Sequence, residues 1–109
     1  MEPGDTFKLQ YAFTQRSKKY NRVIHVPRNF VTDFASIPRI ASLIIPKLGR
    51  HTKASVIHDW LYQRHPIGFS RKLADDLFLD GMLDLGVKPW RAHLMYRAVR
   101  LSGWMAWRK

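Results

Sequence analysis

Residues 53–64 read KASVIHDWLYQR, and residues 71–85, beyond Pro66 and Gly68, read RKLADDLFLDGMLDL. Both stretches carry apolar residues three and four apart, the period of an α-helix. On a wheel of about 100° per residue centred on His58, Ala54, Ser55, Leu61 and Tyr62 fall on its side, and Val56, Ile57 and Trp60 fill the rest. A helix that is apolar nearly all round belongs in the middle of a core, and His58 and Asp59 are its two exceptions. In the second stretch Leu79, Phe78 and Met82 lie within about 60° of Asp75, whereas Asp76 and Asp80 lie further round. Asp75 therefore sits inside the apolar stripe, where a carboxylate must be paired or hydrogen-bonded. Helices over about Thr52–Arg64 and Arg71–Leu85 would form an antiparallel hairpin, bringing Asp75 against His58 and Tyr62, which share one face four residues apart. Ser70 is the expected N-cap of the second helix and Gly86 its stop.

Downstream, a third helix is expected to begin after Lys88, with Pro89 in its first turn, and to run to about Trp104. Upstream the period changes to two. Phe7, Leu9, Tyr11 and Phe13 alternate with polar or small residues, Gln15–Lys19 reads as a turn, and Tyr20–Val26 alternates again. Residues 30–38, FVTDFASIP, read as a packed loop, and residues 39–45, between two prolines, as a short helix. The expected fold is α+β: an N-terminal β-hairpin or small sheet followed by three helices, the first two of them the antiparallel hairpin. At 109 residues, 46% of them hydrophobic, the chain is expected to be one domain, residues 1–109, with one modest core.

A histidine held by a carboxylate can act as a general base, because the acid fixes its tautomer and stabilises the imidazolium. His58, Asp75 and Tyr62 are therefore the candidate catalytic group. The same pair can equally serve as a buried cross-link between two helices. Asp59 would face sideways toward the loop that carries Asp33, and the two carboxylates are candidate metal ligands. There is no cysteine, so a disulfide scaffold and a thiolate metal site are excluded, and oxygen ligands would take calcium or magnesium.

Two resemblances follow from these residues. VPRNFVTDFASIPR, GRHTKASVIHDWLY, ADDLF and RAHLMYRAVRLSGW resemble a family of short phage and prophage proteins of unknown function, which implies a phage or prophage origin. HDWLY followed by ADDLF is similar to the HDxxY…ADxxF pattern of phospholipase A2, most closely the disulfide-free form in parvovirus capsid proteins. That resemblance spans about residues 52–82. It implies that His58 activates water, Asp59 binds calcium, Asp75 orients His58 and Tyr62 supports Asp75. The phospholipase family has a glycine-rich calcium loop upstream, where this chain has TDFASIPR. The expected role is accordingly a virion or tail component carrying a phospholipase A2-like His–Asp pair. The alternative is a calcium-dependent lipid hydrolase acting in entry or lysis.

Nineteen Lys and Arg against eight Asp and Glu give a net charge of +11, which points to an anionic partner. On the last helix Leu94, Ala98, Leu101 and Met105 form an apolar stripe. His93, Arg97, Arg100 and Trp104, with Trp107 nearby, are expected on the other side as a contact face for other virion proteins or an anionic membrane. Nucleic acid is a third anionic partner, though no recognised binding motif is present. No apolar run is long enough to span a bilayer and the N-terminus has no signal-peptide pattern, so a virion or host-cytoplasm location is expected.

Overall fold

Two short antiparallel ladders precede the helices. β1 (Phe7–Lys8) pairs with β4 (Val31–Thr32), and β2 (Phe13–Ser17) pairs with β3 (Arg22–Val26) in the register Phe13 with Val26 and Ser17 with Arg22. The computed structural model describes residues 6–33, 36–37 and 51–107. The short helix expected at residues 39–45 lies outside them. Between the ladders Leu9 keeps the chain aligned: its N–H donates to the Phe30 carbonyl and its own carbonyl accepts from Asn29, each at 2.9 Å.

The helices are α1 (Thr52–Arg64), α2 (Arg71–Asp84), α3 (Pro89–Ser102) and a last turn, α4 (Trp104–Trp107). His65 stops α1 in the left-handed region at φ 44° while its N–H returns to the Leu61 carbonyl. Pro66 then prevents continuation. Ser70 caps α2 by accepting from the Leu73 N–H at 3.0 Å. Gly86 follows α2 at φ 88°, a backbone state that costs a glycine little.

α1 and α2 run antiparallel. Ala54 lies against Gly81, His58 against Asp75, and Tyr62 against Arg71. On one side Ile24, Val26 and Phe30 pack with Val56, Ile57, Leu61 and Leu77. On the other, Ala54, Phe78 and Met82 pack with Ala92, Met95 and Val99 of α3. The architecture is α+β: small sheets, then a helix hairpin, with α3 packed on α2.

Two expectations are corrected. The turn is not Gln15–Lys19, because Gln15, Arg16 and Ser17 remain in the ladder and the chain reverses at 18–21, with Asn21 at φ 53°. Ser17 stays in the strand because its hydroxyl donates to Asp80 of α2 at 2.7 Å, which satisfies a polar group turned inward. The phase of α3 also differs. Ala92, Met95 and Val99 face the core, whereas Leu94 and Leu101, expected inside, are 39% and 80% exposed.

Candidate functional site

α1 supplies two consecutive polar residues that the core cannot leave unpaired. His58 is fully buried and Asp59 nearly so. Being adjacent, they point about 100° apart, and each finds its own partners.

His58 donates and accepts along one line. Its Nε2 lies 2.7 Å from Asp75 Oδ1, and its Nδ1 lies 3.0 Å from the Ser36 hydroxyl. The ring is held between Tyr62, at 4.2 Å between centroids, and Phe78, at 4.6 Å. Burial lowers the His58 pKa below its ordinary value, against the opposing pull of Asp75 and Asp59. The imidazole is therefore neutral at neutral pH. An ionised carboxylate only accepts, so the ring proton sits on Nε2, and the Nδ1 lone pair accepts from Ser36.

Asp75 gathers donors from three helices. Oδ1 accepts from His58 and from the Tyr62 hydroxyl at 2.5 Å, and Oδ2 accepts from Arg100 at 2.8 Å and Arg71 at 3.5 Å. These four donors match the roughly four lone-pair sites of a carboxylate. Burial by itself would raise the Asp75 pKa. The hydrogen bonds from His58, Tyr62 and Arg100 outweigh it and hold the carboxyl below its usual range. Burial, then the bond to Asp75, pushes the Tyr62 hydroxyl well up, so it remains a donor. Arg71 also donates to the Val99 and Arg100 carbonyls, both at 3.1 Å. It thus ties α2 to the last turn of α3.

Asp59 faces the loop, as expected. It accepts from the Thr32 hydroxyl at 2.5 Å, the Gln63 amide at 2.8 Å and the Ser36 N–H at 3.4 Å. Those are hydrogen-bond donors aimed at the carboxylate, whereas calcium asks for six to eight oxygen ligands. Asp33 is exposed, and among the described residues no group of three or more His, Asp or Glu is placed to hold a metal ion. As described, Asp59 is a carboxylate hydrogen-bonded by the loop and by its own helix.

The structure thus brings His58, Tyr62 and Asp75 together. It adds Ser36, Thr32 and Arg71, which the sequence reading missed, and Arg100, which that reading set on the contact face. The available signal was three polar residues, Thr32, Asp33 and Ser36, inside an otherwise apolar segment. Of the expected contact face, His93, Arg97 and Trp104 are exposed. Arg100 instead turns in to Asp75. Trp107 stacks on His65 at 3.9 Å and meets Tyr62 edge-on at 5.2 Å, so it covers the site's own tyrosine.

The chain belongs to the family described as protein of unknown function (DUF1353), which matches residues 7–99. No curated protein and no solved structure matches it. Among the described residues, no helix is long and apolar enough to cross a membrane.

Proposed function

We propose that this member of the DUF1353 family is a small carboxylic-ester hydrolase of phage origin, with His58 as general base, Asp75 as the group that orients it and Ser36 as the attacking hydroxyl. One observation carries the reading: His58 Nε2 lies 2.7 Å from Asp75 and Nδ1 lies 3.0 Å from the Ser36 hydroxyl; with the ring proton on Nε2, where the carboxylate accepts it, the Nδ1 lone pair faces that hydroxyl. That is the arrangement by which a base takes a proton in acyl transfer, recognised by geometry and not by sequence order. Ser36 Oγ attacks the ester carbonyl carbon as its proton passes to His58 Nδ1. The ester C–O bond then breaks, and the leaving alkoxide takes that proton. Water attacks the acyl-Ser36 ester, gives its proton to His58, and Ser36 leaves with it. Asp75 stays ionised throughout, and Tyr62 and Arg100 hold it there.

The similarity of HDWLY and ADDLF to phospholipase A2 supports lipid esters as the substrate class. The similarity of the longer stretches to phage proteins supports action in entry or lysis. No step here passes through calcium.

The test is fatty-acid release from phosphatidylglycerol mixed micelles, with labelling by a fluorophosphonate probe. His58→Gln should lower release by about 10²–10⁴-fold while circular dichroism stays unchanged, and EDTA should have no effect. Ser36→Ala should abolish both release and labelling. Release retained by Ser36→Ala would move the attack to water, the role the phospholipase resemblance implies, and leave His58 as base. A wild-type protein that cleaves neither phospholipid nor p-nitrophenyl esters overturns the reading.

A second reading has its own support. Ser36 and Tyr62 are 2% exposed, and His58 and Asp75 are fully buried. Such a network also suits a cross-link that stiffens a virion or tail component whose partners are other virion proteins. Under that reading the wild-type protein is inert, and the same variants alter only stability and incorporation into particles.

A further inference from the structure

The outer face of α3 and α4 is apolar and open. Leu101 is 80% exposed, Trp90 55%, Met105 53% and Leu94 39%. At about 100° per residue these four fall within roughly 60° of one another, a single stripe along the helix. A contiguous exposed apolar stripe on a soluble surface marks a contact site. Its charge setting is one-sided. Residues 85–109 hold six Lys and Arg and no Asp or Glu. Arg97, exposed, borders the stripe, and Lys88, also exposed, stands just before Pro89.

We propose that this face is a docking surface for an anionic lipid bilayer, with α3 and α4 lying in the plane of the headgroups. Charge selects the occupant. A second copy meeting the same face would set Arg97 against like charge, whereas an anionic headgroup layer supplies the opposite sign over the whole length. Apolar side chains on one side with basic stems beside them are the pattern of an in-plane helix, whose aromatic rings rest at headgroup level. The inner side of α3 meanwhile carries Arg100, whose guanidinium holds Asp75, so one helix would face lipid outward and the buried site inward. The proposal stands without the hydrolase reading, because binding is measured without turnover.

The experiment is co-sedimentation of the full chain with large unilamellar vesicles of phosphatidylglycerol or of phosphatidylcholine, with melting temperatures alongside. Binding should be selective for phosphatidylglycerol and weaken at 0.5 M salt. Leu101→Ser with Met105→Ser should weaken it at least tenfold, and Arg97→Glu should weaken it severalfold. His58→Gln should bind as wild type. The serine pair should leave the melting temperature unchanged, because both side chains already face solvent. Equal binding to both vesicles, no binding to phosphatidylglycerol, or an unaffected serine pair overturns the proposal. Self-association lost in the serine pair would assign the face to a second copy instead, and a steep fall in melting temperature would place the stripe in the core.

Discussion

Asp75 is the residue on which most of the molecule's buried polarity converges. Removing it leaves His58, Tyr62, Arg71 and Arg100 without their common acceptor, and a buried ion pair broken on one side typically costs about 3–5 kcal/mol. Asp75→Ala should lose about that much in urea unfolding; a loss below about 1 kcal/mol would mean the network is solvated. His58 adds a pH signature. Burial holds its folded-state pKa below the ordinary 6.5, so the unfolded chain binds the proton more tightly. Stability from neutral His58 is complete above about pH 6.5 and declines as pH falls below it. The Asp75 contribution is complete above the ordinary carboxylate value of 3.8 and is lost as pH falls from there through its own lowered value. The unfolding free energy should therefore fall from about pH 6.5 downward, and His58→Gln should flatten that slope; stability rising on acidification would contradict the buried neutral imidazole. His58, Tyr62 and Asp75 were legible because helical spacing set polar groups on apolar stripes. Ser36 and Thr32 were not, because their segment has no period, and their partners are 22 and 27 residues away.

At the scale of elements, α3 shows why a periodic helix can still be phased wrongly. It carries two apolar faces, one of Leu94 and Leu101, continued by Met105 of α4, and one of Ala92, Met95 and Val99. Spacing cannot rank them. The structure buries the face whose smaller residues, Ala92 and Val99, let α3 approach α2 closely enough for Arg71 to reach the Val99 carbonyl. Gly103 continues that close approach. Its φ is −66°, so its backbone strains no side chain, but an added Cβ would sit 2.5 Å from the Tyr62 hydroxyl and 3.1 Å from the Arg71 guanidinium. Overpacking of this kind costs about 1–3 kcal/mol. Gly103→Ala should lower thermal stability by that amount and push Tyr62 off Asp75, visible as a changed tyrosine absorbance titration. If Gly103→Ala melts like wild type, α4 is not clamped against the site. The hairpin teaches the same lesson: Gln15–Ser17 looks like a polar turn in isolation, and only Asp80, 63 residues from Ser17, makes Ser17 an inward strand residue.

At the scale of the whole molecule, charge opposes folding. The chain carries nineteen cationic and eight anionic side chains, net +11, and the fold's extents are only 31 × 28 × 27 Å. At 0.01 M ionic strength the screening length is about 30 Å, so every surface cation repels every other across the entire protein; at 0.15 M it is about 8 Å, and only near neighbours interact. Unfolding relieves the repulsion by spreading the charges, which makes the folded state weaker in low salt. Screening also weakens attractive pairs, but in the pair of Asp75 with Arg100 at 2.8 Å the carboxylate has no exposure, and buried pairs are screened far less. The exposed Lys72–Asp76 pair is the kind salt does weaken, and such pairs are worth about 0–1 kcal/mol. Repulsion therefore governs the sign. The melting temperature should rise between 0.01 and 0.15 M sodium chloride and then level off, with each kcal/mol recovered worth roughly 4 °C in a chain of this size. Arg97→Glu, which cuts the net charge by two, should raise the low-salt melting temperature and shrink the salt effect. A melting temperature that falls with salt would mean that attractive surface pairs, not net repulsion, set the electrostatics of the fold.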